Sequence, residues 1–445
     1  MKISGFAHFA PYITILENKV CQIINQVFEL HGFEKFNLNC GLSISSLLAK
    51  GQTAQEIYLL TRLQGIENNL AKIDLNNPKQ LGLRYDQTIP LKTYIEQYSR
   101  ELIYPCRISQ IGKVWRGERA QTGRFREFTQ ADIDIISPES ITSNMINECI
   151  LVFAKIFQHL TKLGLPDVVI YINSRKILQS FCQKHSIKQI EKFLRIIDKY
   201  DKIGSEGITQ ELLELNISSD KVASILEFIN YRSIANFPFE EYLTDSGIKE
   251  VDKLQNLVNN LKDKKIENVK INFAIARGLD YYTDFVMETF VEGYENVGSV
   301  ASGGQYNNLV KLKKNEFTGV GGSIGITRLM AIFSTILDNE KAKNNQTENK
   351  KTANKITNID ALVILDSNDQ QSYNKSWELA EKLRNTGKKT IISPEAWKYG
   401  KQIDYANKLG IEYVWFPNKV DSKTNAKIKA SVKNIITGKQ EDVLI

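Results

Sequence analysis

The chain has little of what staples or metallates a small fold. Its five cysteines, Cys21, Cys40, Cys106, Cys149 and Cys182, are scattered with no CxxC pair. That argues against a disulfide framework and against a cysteine-based zinc site. The four histidines, His8, His31, His159 and His185, form no HExxH pair, so no metal held by protein histidines is expected. No apolar run reaches the ~20 residues that span a bilayer, and the N-terminus lacks a basic segment followed by an apolar stretch. A cytoplasmic protein is expected. Strong charge is missing too. The net charge is +7, with 42% hydrophobic and 24% charged residues, an ordinary globular composition. At 445 residues, two or three domains are expected.

The small excess of positive charge is unevenly placed. From Glu340 to the end there are 19 Lys and Arg against 13 Asp and Glu, which is +6 of the total. A basic terminal domain suits contact with a polyanion. On charge alone, a lysine-rich solvated surface is the simpler reading.

One boundary stands out. Lys341 to Asn358 (KAKNNQTENKKTANKITN) has no aromatic residue and almost nothing apolar, and reads as a solvated linker. The expected organisation is a first domain over 1–337, a linker over 338–358 and a terminal domain over 359–445. In the terminal domain strand patterns at 359–366, 389–392 and 412–416 alternate with helical patterns at 373–385 and 401–409, as in a small α/β unit. Residues 430–436 and 441–445 add a terminal hairpin. In the first domain, 17–31 and 145–163 are helical in pattern, and 176–264 is almost wholly so. Strand-rich pieces at 81–136 and 270–329 flank this mainly helical insertion. They point to an α+β fold on an antiparallel sheet.

Two regions carry chemistry. In Cys106 to Ile136 (CRISQIGKVWRGERAQTGRFREFTQADIDII), two strand-like runs flank a polar loop at 117–123 and form a long-looped hairpin. Period-two spacing on the second strand puts Arg124, Arg126, Phe128, Gln130, Asp132 and Asp134 on one face. Such a row is costly unless solvated or used. Arg116 and Arg124 could grip a triphosphate, Phe128 could stack on a base, and Asp134 could accept an N–H. The second region is Ala276 to Phe290 (ARGLDYYTDFVMETF). Here Arg277 can hold an anion, and Tyr281 and Tyr282 offer rigid hydroxyls to a flat polar ligand.

That run closely resembles the histidine-binding motif of histidyl-tRNA synthetases, a class II aminoacyl-tRNA synthetase family. Trp115-Arg116-Gly117-Glu118 with Arg124-x-x-x-Phe128 resembles motif 2 of the class, and Gly319 to Leu329 (GVGGSIGITRL) is similar to motif 3. Leu83 to Leu91 (LRYDQTIPL), Gly298 to Leu309 (GSVASGGQYNNL), Asn173-Ser174-Arg175-Lys176 and Asp198 to Gly204 also look like family segments. The terminal α/β unit is similar to the family's anticodon-binding domain. The segments follow family order over nearly the whole chain.

The resemblance implies a class II catalytic domain that attaches histidine to tRNA(His) through a histidyl-adenylate, working as a homodimer. It implies Arg277 and Arg116 on the α-phosphate and the amino-acid carboxylate, and Arg124 and Arg328 on the outer phosphates of ATP. Phe128 stacks on adenine and Glu118 holds its edge. Asp134 and Tyr282 meet the imidazole, with Tyr281 beside them, while Asp86, Thr88 and Gln130 meet the α-amino group. Mg2+ bridges phosphates, kept mostly by ATP oxygens and water. A second reading is a catalytically silent paralogue that binds histidine or a partner enzyme as a regulator. Such paralogues commonly lose the histidine motif and the anticodon domain, and this chain keeps both.

The chain departs from the pattern at a few positions. Asn39 stands where motif 1 normally has a proline, and Asp284 where a glycine is usual. Asp is a less costly replacement if that glycine needs a positive backbone angle. Gln305 and Asn307 replace an arginine and an aspartate, and Thr327 stands where an acidic residue is common.

Overall fold

Alternating apolar and polar residues make strands with two unlike faces, and in this protein those faces separate a core from a pocket. The computed structural model describes residues 3–48, 56–62, 79–121, 123–231, 237–276, 282–312, 315–344, 357–417 and 429–444. They fall into two compact units, Met1–Ala7 with Val20–Phe333, and His8–Lys19 with Ser334–Ile445.

After Met1–Ala7, the first unit takes up the chain again within α1 (Pro11–Leu30) and continues through β1 (Glu34–Lys35), β2 (Gly41–Ser43), α2 (Ile44–Leu48), β3 (Leu59–Leu60), β4 (Leu81–Leu83) and α3 (Thr88–Tyr98). The expected hairpin follows as β5 (Cys106–Trp115) and β6 (Glu127–Ser137), then α4 (Ser143–Thr161) and β7 (Val168–Ser174). The insertion is helical throughout its described residues: α5 (Arg175–Lys184), α6 (Ile190–Ile197), α7 (Tyr200–Glu214), α8 (Ser219–Asn230), α9 (Phe239–Tyr242) and α10 (Asp245–Asp263). The sheet resumes with β8 (Val269–Ile271), β9 (Phe285–Val291), β10 (Ala301–Leu312) and β11 (Asn315–Gly325), and α11 (Ile326–Asn344) follows.

Eight strands pair in the order β1-β5-β6-β11-β10-β9-β7-β8. The outermost pairs, β1 with β5 and β7 with β8, are parallel, and every pair between them is antiparallel. This is the α+β, antiparallel-sheet class that the sequence pattern implies. Ala131, Ile133 and Ile135 point to one face of β6 and are buried. On that side Cys149 Sγ of α4 lies 3.7 Å from Val320 O, and Phe153 sits against Gly322. The other face of β6 is left for the pocket.

Arg84 is the largest fully buried side chain of this unit. Its backbone N–H donates to Cys40 O at 2.9 Å, Nη1 to Leu38 O at 2.9 Å, and Nε to Lys113 O at 2.8 Å. The segment around Asn39, which lacks the motif 1 proline, is therefore tied to the sheet by a buried guanidinium.

The second unit carries β12 (Ala361–Val363), α12 (Gln370–Asn385), β13 (Thr390–Ile392), α13 (Tyr399–Leu409), β14 (Tyr413–Pro417), β15 (Lys429–Asn434) and β16 (Gln440–Leu444), in strand order β13-β12-β14-β15-β16. Ala361 and Val363 pack with Leu379 and Leu383 of α12, while Leu362 and Ile364 pack with Ala406 of α13, one helix to each face. α12 starts three residues before its apolar pattern because Asp369 caps it, accepting the Ser372 N–H at 2.7 Å.

The insertion has its own aromatic core. Phe181 stacks on Phe193 and on His185, with Phe228 and Tyr242 alongside. His185 Nε2 is buried with no hydrogen-bond partner among the described residues. Burial first, and then Lys221, hold the ring's pKa below its ordinary value. The folded state therefore favours neutral His185, and its contribution is full above the unfolded value of about 6.5 and lost as pH falls through the lowered folded value. Thermal unfolding followed by circular dichroism should lose stability as pH falls below about 6.5. His185→Phe, which keeps the ring stack without the titration, is expected to flatten that slope.

Candidate active site

Phe128, Gln130, Asp132 and Asp134 occupy one face of β6 and line a single cavity of about 830 Å3, within the roughly 300–1,000 Å3 of small-molecule sites. Arg126, which period two puts in the same row, does not join them. It lies before the strand starts, packs against Gly5, and donates from Nε to Glu118 O at 3.1 Å.

The floor is cleared by glycines on the neighbouring strands. Gly321 is the register partner of Asp134, and Gly304 pairs with Gly321. A Cβ at Gly321 would come within 2.3 Å of Asp134 Oδ1, one at Gly304 within 2.7 Å of the Tyr282 ring, and one at Gly319 within 2.3 Å of the Tyr306 ring. The missing side chains make the room in which Tyr282, Tyr306 and Asp134 stand. Tyr306 donates its hydroxyl to Asp134 Oδ1 at 2.6 Å.

Two chemical sets line the cavity. The first is cationic, with Arg116, Arg124 and Arg328 all facing it. Arg116 donates from Nε to Tyr85 O at 3.0 Å, and its Cζ lies 5.1 Å from the Phe128 ring centroid. Arg124 reaches Glu118 Oε2 at 3.5 Å. Arg328, on α11, donates from Nε to Gly123 O at 2.9 Å and from Nη1 to Ser299 O. Burial, then Arg124 and Arg116, push the Arg328 pKa below its ordinary value, and Glu118 and Glu288 offset this in part. Three mutually repelling guanidiniums with planar donor forks are suited to a polyvalent anion.

The second set is made of acceptors: Asp86, Thr88, Gln130, Asp132 and Asp134, with Tyr282. Asp86 Oδ1 accepts the Ile89 N–H at 3.0 Å at the start of α3. Gln130 Oε1 is buried with no partner among the described residues. A buried acceptor without a donor is costly, and a ligand donor relieves it. Among the described residues no group of three or more His, Cys, Asp or Glu is placed to hold a metal by itself.

Arg277 and Tyr281 lie outside the described residues, but both flanks of their run are anchored. Asn173 Nδ2 donates to Ile275 O at 2.7 Å and to Phe273 O at 3.3 Å on one side. On the other, Ser174 Oγ donates to Asp284 Oδ1 at 2.8 Å, Lys176 donates to Asp284, and the Arg175 N–H reaches Asp284 O at 2.9 Å. Asp284 does not adopt a positive φ. The carboxylate there acts as an acceptor, and its backbone adopts no unusual angle. Thr327 has a similar explanation, its hydroxyl accepting the Thr129 N–H at 2.8 Å.

Tyr306, Ser323, Glu288, Asp198 and Lys202 also line the cavity and received no role from the sequence. Tyr306 left a signal, because it stands two residues after Gly304 and shares its face. Asp198 and Lys202 come from the insertion, and local pattern carries no sign of where a distant helix folds back.

The antiparallel sheet, with its long hairpin and the glycine-rich pair of strands that ends in an arginine-bearing helix, is of the class II aminoacyl-tRNA synthetase type. A crystal structure of histidyl-tRNA synthetase from Nostoc sp. PCC 7120 superposes with a TM-score of 0.80 at 27% identity, covering 100% of this chain and 96% of that one. The family model described as histidyl-tRNA synthetase matches residues 20–329. The histidine–tRNA ligase of Bifidobacterium animalis subsp. lactis is 37% identical over 98% of this chain and 93% of its own length, and that of Thermobifida fusca is 35% identical over 98% and 95%. The chain belongs to the histidyl-tRNA synthetase family.

The glycine floor yields a direct test. Gly321→Ala should drive Asp134 from its place and destabilise the protein by about 1–3 kcal/mol through overpacking. Gly325→Ala, whose Cβ would meet nothing nearer than 3.5 Å, is expected to leave the melting temperature unchanged. Differential scanning calorimetry of the pair separates crowding at this site from a general effect of replacing strand glycines.

Proposed function

We propose that this protein is a histidine–tRNA ligase that activates histidine with ATP and transfers it from the adenylate to tRNA(His). The observation that carries this reading is the meeting of three arginines and a set of buried acceptors in one glycine-floored cavity. Joining a carboxylate to the α-phosphate of ATP brings two anions together, so the barrier is largely repulsion and misalignment. Positioned guanidiniums answer both, with no general acid or base required. A paralogue that only regulated another enzyme would not need that cationic set.

Arg116 and Arg277 take the α-phosphate and the histidine carboxylate, and Arg124 and Arg328 take the outer phosphates. Phe128 stacks on the adenine and Glu118 accepts from its edge. Asp134 and Tyr282 meet the imidazole, with Tyr281 adjoining. The fixed Tyr306–Asp134 bond supports this by orienting the carboxylate. Asp86, Thr88 and the unpartnered Gln130 oxygen receive the α-ammonium. Mg2+, carried in on the nucleotide and held mostly by phosphate oxygens and water, offsets charge on the phosphates.

The second unit supplies the anticodon-binding domain. Its basic excess suits an RNA backbone, and Tyr373, Trp377 and Tyr399 are exposed on it. The protein works in the cytoplasm as a homodimer. Among the described residues no helix is long and apolar enough to cross a membrane.

Exchange of pyrophosphate into ATP tests the reading without tRNA. Histidine alone among the amino acids is expected to support it. Equal exchange with another amino acid, or none with histidine at saturating ATP, contradicts the assignment.

Arg277→Lys keeps the charge but loses the fork that spans a phosphate oxygen and a carboxylate. Loss of one preorganised donor to a developing charge costs about 2.7–4 kcal/mol, roughly a hundred- to a thousandfold in rate. Single-turnover assays should show that loss in histidine activation, with a smaller effect on ATP affinity and on transfer from preformed adenylate. Activation at the wild-type rate would reduce Arg277 to a turn residue.

A further inference from the structure

Asp132 is a carboxylate in the cavity wall to which the resemblance gives no role. It lies between Gln130 and Asp134 on the pocket face of β6, is 6% exposed, and pairs in register with Gln110 of β5 and Ser323 of β11. Among the described residues its Oδ1 accepts from Ser323 Oγ at 2.7 Å and from Gln87 Nε2 at 3.2 Å. Gln87 also donates to Gln130 O at 3.0 Å. Asp132 is thus braced by neutral donors against the strand residue that carries the unpartnered Gln130 oxygen.

We propose that Asp132 is an electrostatic anchor for the α-ammonium group of the amino-acid substrate, acting beside Asp86 and Gln130. This rests on the histidine reading of the cavity and adds a residue to it. The charged groups around Asp132 are few. Asp86 faces it from the segment entering α3, Arg84 from the end of β4, Arg116 from the end of β5, and Asp134 follows it on the same face of its own strand. β11 offers only the Ser323 hydroxyl.

Burial, with Asp86 adding to it, outweighs the Ser323 hydrogen bond and the two arginines and pushes the Asp132 carboxyl up to about 7. A cation arriving between Asp86 and Asp132 removes the like-charge conflict and favours the ionised form. The proton leaves to solvent, and the ammonium keeps all three of its own. Below about pH 7 histidine binding therefore expels a proton and weakens as pH falls, and well above pH 7 it does neither.

The test uses the full-length protein and its Asp132→Asn variant, whose amide oxygen still accepts from Ser323 and Gln87 while the charge is gone. Histidine is titrated calorimetrically in buffers of different ionisation enthalpy, at about pH 6.5 and about pH 8.5. The substrate's own imidazole titrates with both proteins and cancels in the difference. The wild type is expected to release up to one proton more than the variant at the lower pH and no more at the higher. In pyrophosphate exchange the variant should raise the KM for histidine about ten- to a hundredfold, with kcat and the KM for ATP nearly unchanged. Ser323→Ala, which withdraws a donor from the ionised form, should move the wild-type pH midpoint upward. Equal histidine affinity and equal proton release in wild type and Asp132→Asn would overturn this inference alone. A wild type that binds no histidine would overturn the histidine reading and this inference with it.

Discussion

Like charge held at close quarters is the constraint on which the rest of this site depends. Arg116, Arg124 and Arg328 face one cavity, and the Arg328 guanidinium is pushed below its ordinary pKa by burial and by the other two. Among the described residues Glu118 and Glu288 offset only part of that repulsion. A polyphosphate does so best. The scaffold keeps the arginines apart by tying each to a fixed acceptor: Arg116 to Tyr85 O, Arg124 to Glu118, and Arg328 to Gly123 O and Ser299 O. Those acceptors sit between β4 and α3, in the hairpin loop and just before β10, so separate parts of the frame hold the charges in place.

The opposite charge is managed by space. Asp132 and Asp134 are both buried carboxylates on β6, and burial of a carboxylate is tolerated only where donors reach it. The glycines at 304, 319 and 321 leave room for the two tyrosines and for Asp134 itself. The same strands turn Gly322 toward α4, where Phe153 packs against it. Alternation along a glycine-rich strand thus serves pocket and core at once, and a side chain added on either face would disturb one or the other.

The departures from the family pattern make sense as hydrogen-bond substitutions. Asp284 receives Ser174 and Lys176 and so joins the flank of the arginine-bearing run to the start of the insertion. Asn39 lies in a segment tied to the sheet by Arg84, through bonds to Leu38 O and Cys40 O. Thr327 meets the Thr129 amide with a neutral oxygen.

The sequence by itself determined a good deal. Period-two spacing put Phe128, Gln130, Asp132 and Asp134 on one face, helical spacing marked 176–264 as helical, and the motifs identified the family, because each depends on residues near one another in the chain. Local pattern fell short at α12, where a cap sets the first turn three residues ahead of the apolar stripe. Only the tertiary structure decided that this polar face is buried. A row of arginines and carboxylates reads equally well as solvated surface until the glycine-rich strands and the insertion enclose it. It also decided that Tyr306 fixes Asp134, that Asp198 and Lys202 reach the cavity, and that Asp132 shares that cavity with Asp86 and feels its charge. Those pairings span tens to hundreds of residues, and what sets them is which strands hydrogen-bond side by side. Burial and like-charge proximity, which shift the titration of Asp132 and Arg328, exist only once those strands have met.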